Sequence, residues 1–310
     1  MRERPFLREN RTKTENEGYV TTDDGVRLFF QKFGSGPNTI VIPSAASMCD
    51  DFKHLATDRT VISYDLRNRG RSGAVSEASK LRGGIHHDVE DLEAIRRFFG
   101  ITPIDVIGHS YLGMAVGLYA MKYPAHVNRV VQIGPVQPDA GKKYPEHLTG
   151  SDATMVEVTA KLAQLQKEGP AGDPNDFGKK IWSLMRQLYV VVDPRDADKV
   201  RSVSHLPNES LFNVMKHYQE NILPSIQSIH LTPEDFARAK MPVLIIHGRR
   251  DRHAPYGGGK DWATLLPNAR LLTIENAAHL PWIESPESVF GAVKVFLDGD
   301  WPDVQPTVRC

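Results

Sequence analysis

Short apolar runs recur along the chain, separated by segments long enough for a helix. They are TIVIP (39–43), TVISYD (60–65), PIDVIG (103–108), VNRVVQIG (127–134), PVLIIHG (242–248) and ARLLTI (269–274). Runs of four to eight apolar residues without alternation predict strands buried on both faces, as in a parallel sheet. Between them, Val89, Leu92, Ile95, Phe98 and Phe99 fall at helical spacing within 88–99, with Gly100 as a stop; a second helix is predicted over 110–123, ended by Pro124. Ahead of the first run, GYVTTDDGVRLFFQKFG places β-branched and aromatic residues on both sides of an Asp-Asp-Gly turn, which predicts a hairpin. Strands alternating with amphipathic helices predict an α/β fold with a mainly parallel central sheet flanked by helices.

The alternation stops between Pro135 and Met241. Apolar residues there recur at helical spacing instead: Met155, Val158, Leu162 and Leu165; then Phe177, Ile181, Leu184 and Leu188; then Leu211, Val214, Met215 and Tyr218. A helical insertion is predicted, after which strands resume at Pro242 and a last helix starts near Ser285-Pro286. The predicted organisation is a flexible tail over 1–17, a core over 18–135 and 241–298, an inserted helical lid over 136–240, and a C-terminal tail over 299–310.

Composition narrows the class. The chain has 310 residues, 40% apolar and 25% charged, as expected of a globular domain. Its 38 basic and 38 acidic side chains cancel, so no overall field favours nucleic acid or an anionic membrane as partner. Two cysteines, Cys49 and Cys310, are too few for a disulfide framework or a structural zinc site. No apolar run reaches the roughly 18 residues of a membrane span, and the first seventeen residues hold no apolar core of a secretion signal, so a cytoplasmic protein is expected.

The strand PIDVIG runs into Gly108-His109-Ser110-Tyr111-Leu112-Gly113 and then into a predicted helix. A serine on such a turn is held in a strained conformation that lifts its hydroxyl above the sheet, making Ser110 a candidate nucleophile; helix capping is the plainer role for the same residue. A serine hydroxyl is a weak nucleophile until a base takes its proton and a carboxylate orients that base. Asp251 follows PVLIIHGRR and His279 follows the LLTI strand, both where loops gather at the carboxyl edge of a sheet.

These residues, with Tyr64-Asp65-Leu66-Arg67-Asn68-Arg69-Gly70-Arg71-Ser72 and the stretch from His279 to Glu284-Ser285-Pro286, make residues 18–298 resemble the α/β-hydrolase superfamily, in its esterase, lactonase and proline-iminopeptidase-like branch. The resemblance implies Ser110 as nucleophile, His279 as general base and then acid, and Asp251 as its orienter, with no cofactor and no metal. It also implies an oxyanion hole of two backbone N–H groups, Tyr111 and Ala45, with Ala46 as the alternative to Ala45. Asp139, where some members carry the acid, is the second carboxylate candidate.

Among the other histidines, His109 and His247 are read as site walls, His253 as loop-shaping, and His86-His87 as solvated; Cys49 is read as packing. Two positions depart from the family pattern. Leu112 stands where the elbow has its second glycine, so it either shifts the backbone or shapes a pocket wall, and Ala278 replaces a glycine before the histidine. The expected activity is hydrolysis of a small, hydrophobic carboxylic ester or lactone. An aminopeptidase resembling proline iminopeptidases is the alternative, disfavoured by Pro43-Ser44-Ala45-Ala46-Ser47 in place of His-Gly-Gly-Pro-Gly, and a non-catalytic ligand-binding protein is the third reading. The aminopeptidase needs lid carboxylates to hold an amino terminus; Glu157, Glu168, Asp173, Asp176, Asp193 and Glu209 are available but are read as a solvated face. Trp182, Leu184, Leu188 and Tyr189 are the apolar lid positions that fit a hydrophobic substrate.

Overall fold

A computed structural model describes residues 16–169, 172–191 and 210–304. Eight strands form one sheet in the order β1-β2-β4-β3-β5-β6-β7-β8. The hairpin of β1 (Glu17–Thr21) and β2 (Arg27–Phe33) is antiparallel, as is β2 to β4 (Thr60–Tyr64). The remaining pairs are parallel: β3 (Thr39–Pro43), β5 (Ile104–His109), β6 (Val127–Ile133), β7 (Val243–Gly248) and β8 (Ala269–Ile274).

Every apolar run predicted as a strand is one; β3, β4 and β7 are buried throughout, whereas β8, at the edge of the sheet, is half-buried up to Ile274, and the period of two explains why both faces of the inner strands are apolar. Val41, Val106, Val130 and Ile245 pack on one side, against Val89, Leu92 and Ile95 of helix α2 (Ile85–Phe99) and Met114 and Val116 of α3 (Tyr111–Lys122). Their neighbours Ile42, Ile107, Val131 and Ile246 pack on the other, against Met48 and Phe52 of α1 (Ala45–Phe52) and Val289, Val293 and Phe296 of the last helix, Pro286–Leu297. Gly100 ends α2 with φ 64°, its N–H donating to the carbonyls of Arg96 and Arg97.

Between β6 and β7 the described residues hold no strand. They form α4 (Ala153–Glu168), α5 (Pro174–Met185), a helix over Leu211–His217 that passes through a π-turn at Tyr218–Ile222 into Leu223–Gln227, and a short helix over Pro233–Arg238. Pro224 has no N–H to give the helical ladder, and the wider π-turn sits directly before it. Among the described residues no helix is long and apolar enough to cross a membrane. At the ends, β1 starts at Glu17, inside the predicted tail, because its ladder pairs Glu17 with Gln31. Trp301, predicted as tail, folds back against Phe296 with ring centroids 5.1 Å apart and lies under Arg270, because a large apolar ring gains by covering the last helix.

Candidate active site

The carboxyl ends of β5, β6, β7 and β8 lie side by side, and each contributes one piece of the candidate site. At β5 the chain turns into α3 through Ser110, which has φ 58° and ψ −128°, a conformation a side chain rarely adopts. The turn is pinned: the Ser110 N–H donates to Ile133 O (2.9 Å), and the Ser110 carbonyl accepts from Gly113 N (3.0 Å) and Val136 N (3.2 Å). Its tightness requires Gly108, where a Cβ would lie 2.2 Å from the Leu112 carbonyl oxygen. The departure at Leu112 is thereby resolved: Gly108 supplies the close approach, and the Leu112 side chain is buried in the core, not in a pocket wall.

Asp251 and His279 come together across β7 and β8. His279 Nδ1 lies 2.8 Å from Asp251 Oδ2; an ionised carboxylate only accepts, so Nδ1 carries the proton and Nε2 is left as the basic nitrogen. The other oxygen of Asp251 accepts from His253 N (2.8 Å) and Ala254 N (2.9 Å). His247 Nε2 stands 3.2 Å from Oδ2 and 3.1 Å from Ala254 O, which makes it a second imidazole donor to the same carboxylate. Burial alone would raise the Asp251 carboxyl, but His279 and His247 outweigh it and hold the group well below the usual carboxylate range.

The loop that carries His279 meets the serine turn. His109, next to Ser110, donates from Nε2 to the His279 carbonyl at 2.9 Å, since a carbonyl only accepts, and the two rings are 4.4 Å apart. Gly134, at the end of β6 with φ 50°, leaves room below: a Cβ there would lie 3.2 Å from Asp251 Oδ2 and 3.4 Å from His279 Nδ1. Gly248 does the same for the histidine loop, since its Cβ would strike the Ala278 carbonyl oxygen at 2.0 Å. Ala278 itself is fully buried and accommodated.

Tyr111 and Ala45 each open a helix, α3 and α1, so their amides stand at positive helix ends on the same sheet edge. Ser44, in the left-handed region at φ 77°, turns the chain out of β3 into α1. Ala46 is also in the first turn of α1, one position further from β3.

Other candidates fall elsewhere. Asp139 is exposed and its carboxylate caps a turn by accepting from Gly141 N (2.9 Å), away from His279. Expected to be solvated, His87 is instead half-buried, with Nδ1 sheltered from solvent and without a hydrogen-bond partner among the described residues; burial, then Arg67, lowers it. His86 is exposed. Cys49 is buried, its Sγ 3.5 Å from Gln31 Oε1, as a packing residue would be.

His253 packs 5.0 Å from the His279 ring and is lowered to about 3 by burial, then by His279. Of the apolar insertion residues, Tyr189 reaches the site, its ring 5.5 Å from that of His279 and 5.6 Å from Trp182. Leu184 instead lines an open groove of about 400 Å³ beside Leu165 and Lys161. Glu157 pairs with Lys161 and Asp176 with Lys179, both on the exposed face, and Glu168 accepts from Gln164. Asp193 and Glu209 lie outside the described residues.

Sequence reasoning missed Gly134, the His247 contact and the role of Glu284 described below. His247, in the run PVLIIHG, and Glu284, before Ser285-Pro286, each carried a signal as part of a motif, without an assigned partner.

A family model described as the alpha/beta hydrolase fold matches residues 48–286. Similar proteins include a proline iminopeptidase of Heyndrickxia coagulans, 24% identical over 91% of this chain and 98% of the relative. A bifunctional esterase/perhydrolase of Acinetobacter calcoaceticus is 25% identical over 84% of this chain and 92% of its own. Among solved structures, an esterase from Exiguobacterium antarcticum superposes with a TM-score of 0.69 at 15% identity, covering 91% of this chain and 99% of that one.

Proposed function

Because the chain belongs to the α/β-hydrolase family, we propose that it is a serine hydrolase that cleaves carboxylic esters or lactones through an acyl-enzyme on Ser110. The observation that supports this reading is the strained Ser110 turn, whose neighbour His109 is bonded to the His279 carbonyl, together with a buried, hydrogen-bonded Asp251–His279 pair. In this mechanism His279 Nε2 takes the proton from Ser110 Oγ as the oxygen bonds to the ester carbonyl carbon. The negative charge that develops on the carbonyl oxygen is met by the amides of Tyr111 and Ala45. Collapse of the tetrahedral adduct breaks the bond to the alkoxy group, which leaves with the proton held by His279. Water then gives a proton to His279 and attacks the acyl carbon; release of the acid returns the proton to Ser110.

Aromatic rings at the site, Tyr189 against His279 and Tyr111 6.0 Å from Tyr218 of the insertion, favour a hydrophobic substrate and a cover role for the helices between β6 and β7. An intracellular setting is proposed with it, on the grounds of the sequence. The aminopeptidase alternative draws on the H. coagulans relative, but Glu157 and Asp176, described insertion carboxylates that could bind an amine, pair with lysines at the surface. The test is Ser110→Ala. Hydrolysis of p-nitrophenyl esters is expected to fall by about 10³-fold or more, with loss of fluorophosphonate labelling. Parent-like hydrolysis by that variant sinks the proposal. Preference of the parent for an aminoacyl-naphthylamide over acyl esters selects the peptidase.

A further inference from the structure

Asp251 and His279 stand on separate loops, after β7 and after β8, and both loops are hydrogen-bonded to one stretch of the insertion, residues 187–191. On the acid side, Arg252 is buried next to Asp251. Its Nη1 donates to the carbonyls of Gln187 and Val190, each at 3.1 Å. Its Nε donates to Asp152 Oδ1 and Oδ2 (3.1 and 3.0 Å), and its Nη2 also pairs with Asp152, the residue that caps α4. On the base side, His279 N and Leu280 N both donate to the Tyr189 carbonyl, at 3.1 and 3.2 Å. Glu284 closes the arrangement: one oxygen accepts from Val191 N and the other from Ala278 N, both at 2.6 Å.

The stretch thus holds the backbone of the base residue, and its Tyr189 ring lies against the imidazole. We propose that Arg252 and Glu284 are positioning residues that clamp residues 187–191 between the two catalytic loops, so that the insertion itself sets the alignment of His279 with Asp251 and Ser110. The inference rests on the triad proposed above. Its physical basis is tolerance. Besides the 2.8 Å Asp251–His279 bond, this stretch ties both catalytic loops together, and a misplacement of about 1 Å at a reacting group can cost 10²-fold in rate. Arg252 is suited to the task because its planar fork serves a carboxylate and two carbonyls at once, which a lysine cannot. The sequence marked Leu188 and Tyr189 only as apolar positions; the clamp itself left no trace there, because its hydrogen bonds run through main-chain carbonyls and the Val191 amide.

The experiment measures fluorophosphonate labelling of Ser110 as a maximal rate and a half-saturating concentration, with melting temperature alongside, in the parent, Arg252→Ala and Glu284→Gln. In Arg252→Ala the maximal labelling rate is expected to fall about 10–100-fold with half-saturation within about threefold. Guanidinium ion at tens of millimolar, too dilute to unfold the protein, restores at least about threefold of that loss by refilling the vacated place. Glu284→Gln turns one accepting oxygen into an NH₂ facing an N–H donor; labelling is expected to slow about tenfold, without rescue by guanidinium. A purely structural role lowers the melting temperature and leaves labelling unmoved, and it predicts no rescue. The proposal is overturned if both variants label within twofold of the parent, or if Arg252→Ala is slowed without rescue while Glu284→Gln is unaffected. Should Arg252→Ala fail to fold, Glu284→Gln decides alone. A parent that is not labelled at Ser110 instead removes the triad reading, a result distinct from both.

Discussion

Two aspartates of this molecule are buried to nearly the same degree, Asp251 at 0% exposure and Asp88 at 4%, and their carboxyls move in opposite directions. Asp251 meets two backbone amides on one oxygen and two imidazoles at the other, and stays ionised. Asp88, near the start of α2, has an Oδ2 without a hydrogen-bond partner among the described residues. Burial, then the neighbouring Asp91, pushes it up to about 8. The nearby cation does not rescue it, because Arg67 is spent on Asp91 through Nε (2.9 Å) and Nη2 (2.6 Å) and on Asp24 (2.9 Å). Burial therefore sets the default sign of the shift, and the number of donors aimed at the carboxylate decides whether that default survives. In the proposed mechanism the carboxylate faces an imidazolium and must keep its charge, and of these two aspartates Asp251 has the donors to do so.

The strongest way to break this comparison is Asp251→Asn. The amide keeps the shape but can present NH₂ toward Nδ1 of His279, favouring the tautomer in which Nε2 carries the proton and cannot act as base. A loss of about 10⁴-fold in kcat on a p-nitrophenyl ester is expected, with circular dichroism unchanged. Asp139→Asn, at the exposed turn, is the control and is expected to retain parent activity. The reverse outcome moves the acid to Asp139.

His247→Phe sharpens the comparison at smaller amplitude. It preserves an aromatic ring of similar volume but removes one of the two imidazole donors to Asp251. Chemical denaturation is expected to show a loss of about 1.5–3 kcal/mol, the usual worth of a hydrogen bond to a charged group. Since the His279 bond and both backbone amides remain, kcat is expected to fall far less than in Asp251→Asn, by about tenfold. An equal loss in the two variants means that His247, not His279, is the partner on which catalysis depends.

The same contrast explains what could be read from the chain before folding. The inner strands were legible because each is a short run such as Ile40-Val41-Ile42, apolar on both faces, and Ser110, Asp251 and His279 stood out as candidates because each lies in the turn or loop that follows a strand. The helix Tyr256–Leu265 was not, since Gly257, Gly258 and Gly259 have poor helical propensity. The folded chain shows their use: Cβ atoms there would meet Tyr144 at 2.2 Å, Gln137 at 2.9 Å and His247 Nδ1 at 2.4 Å, so small residues let this helix close on the site. The start of α1 at Ala45 was missed because Ser44 enters it through a left-handed turn, and the donors around Asp251 because backbone amides leave no trace in residue identity. His87 was read from its neighbours in sequence, whereas the charges that act on it in the fold, Arg67 and Asp24, are distant along the chain.

The smallest expected effect on activity belongs to Asp88→Asn, and its effect on stability has the opposite sign. The carboxyl titrates near 3.9 in an unfolded chain and near 8 in the fold, where burial and Asp91 raise it and Arg67 and Arg69 oppose them. Below about pH 4 both states hold the proton and the group has no influence on stability. As pH rises toward 8 the unfolded chain ionises while the folded one keeps its proton, so stability falls across that window and levels off above it. Asparagine cannot ionise and lacks this slope. The melting temperature of Asp88→Asn is therefore expected to gain on that of the parent between pH 5 and 8, at about 2–4 °C for each kcal/mol, with ester hydrolysis at neutral pH within about twofold. Asp91, raised to about 6 by burial despite its bonds to Arg67, tilts both curves the same way, so the difference between them isolates Asp88. A constant offset over that range means that Asp88 is ionised in the fold, and the contrast with Asp251 then rests on donors still to be found around α2.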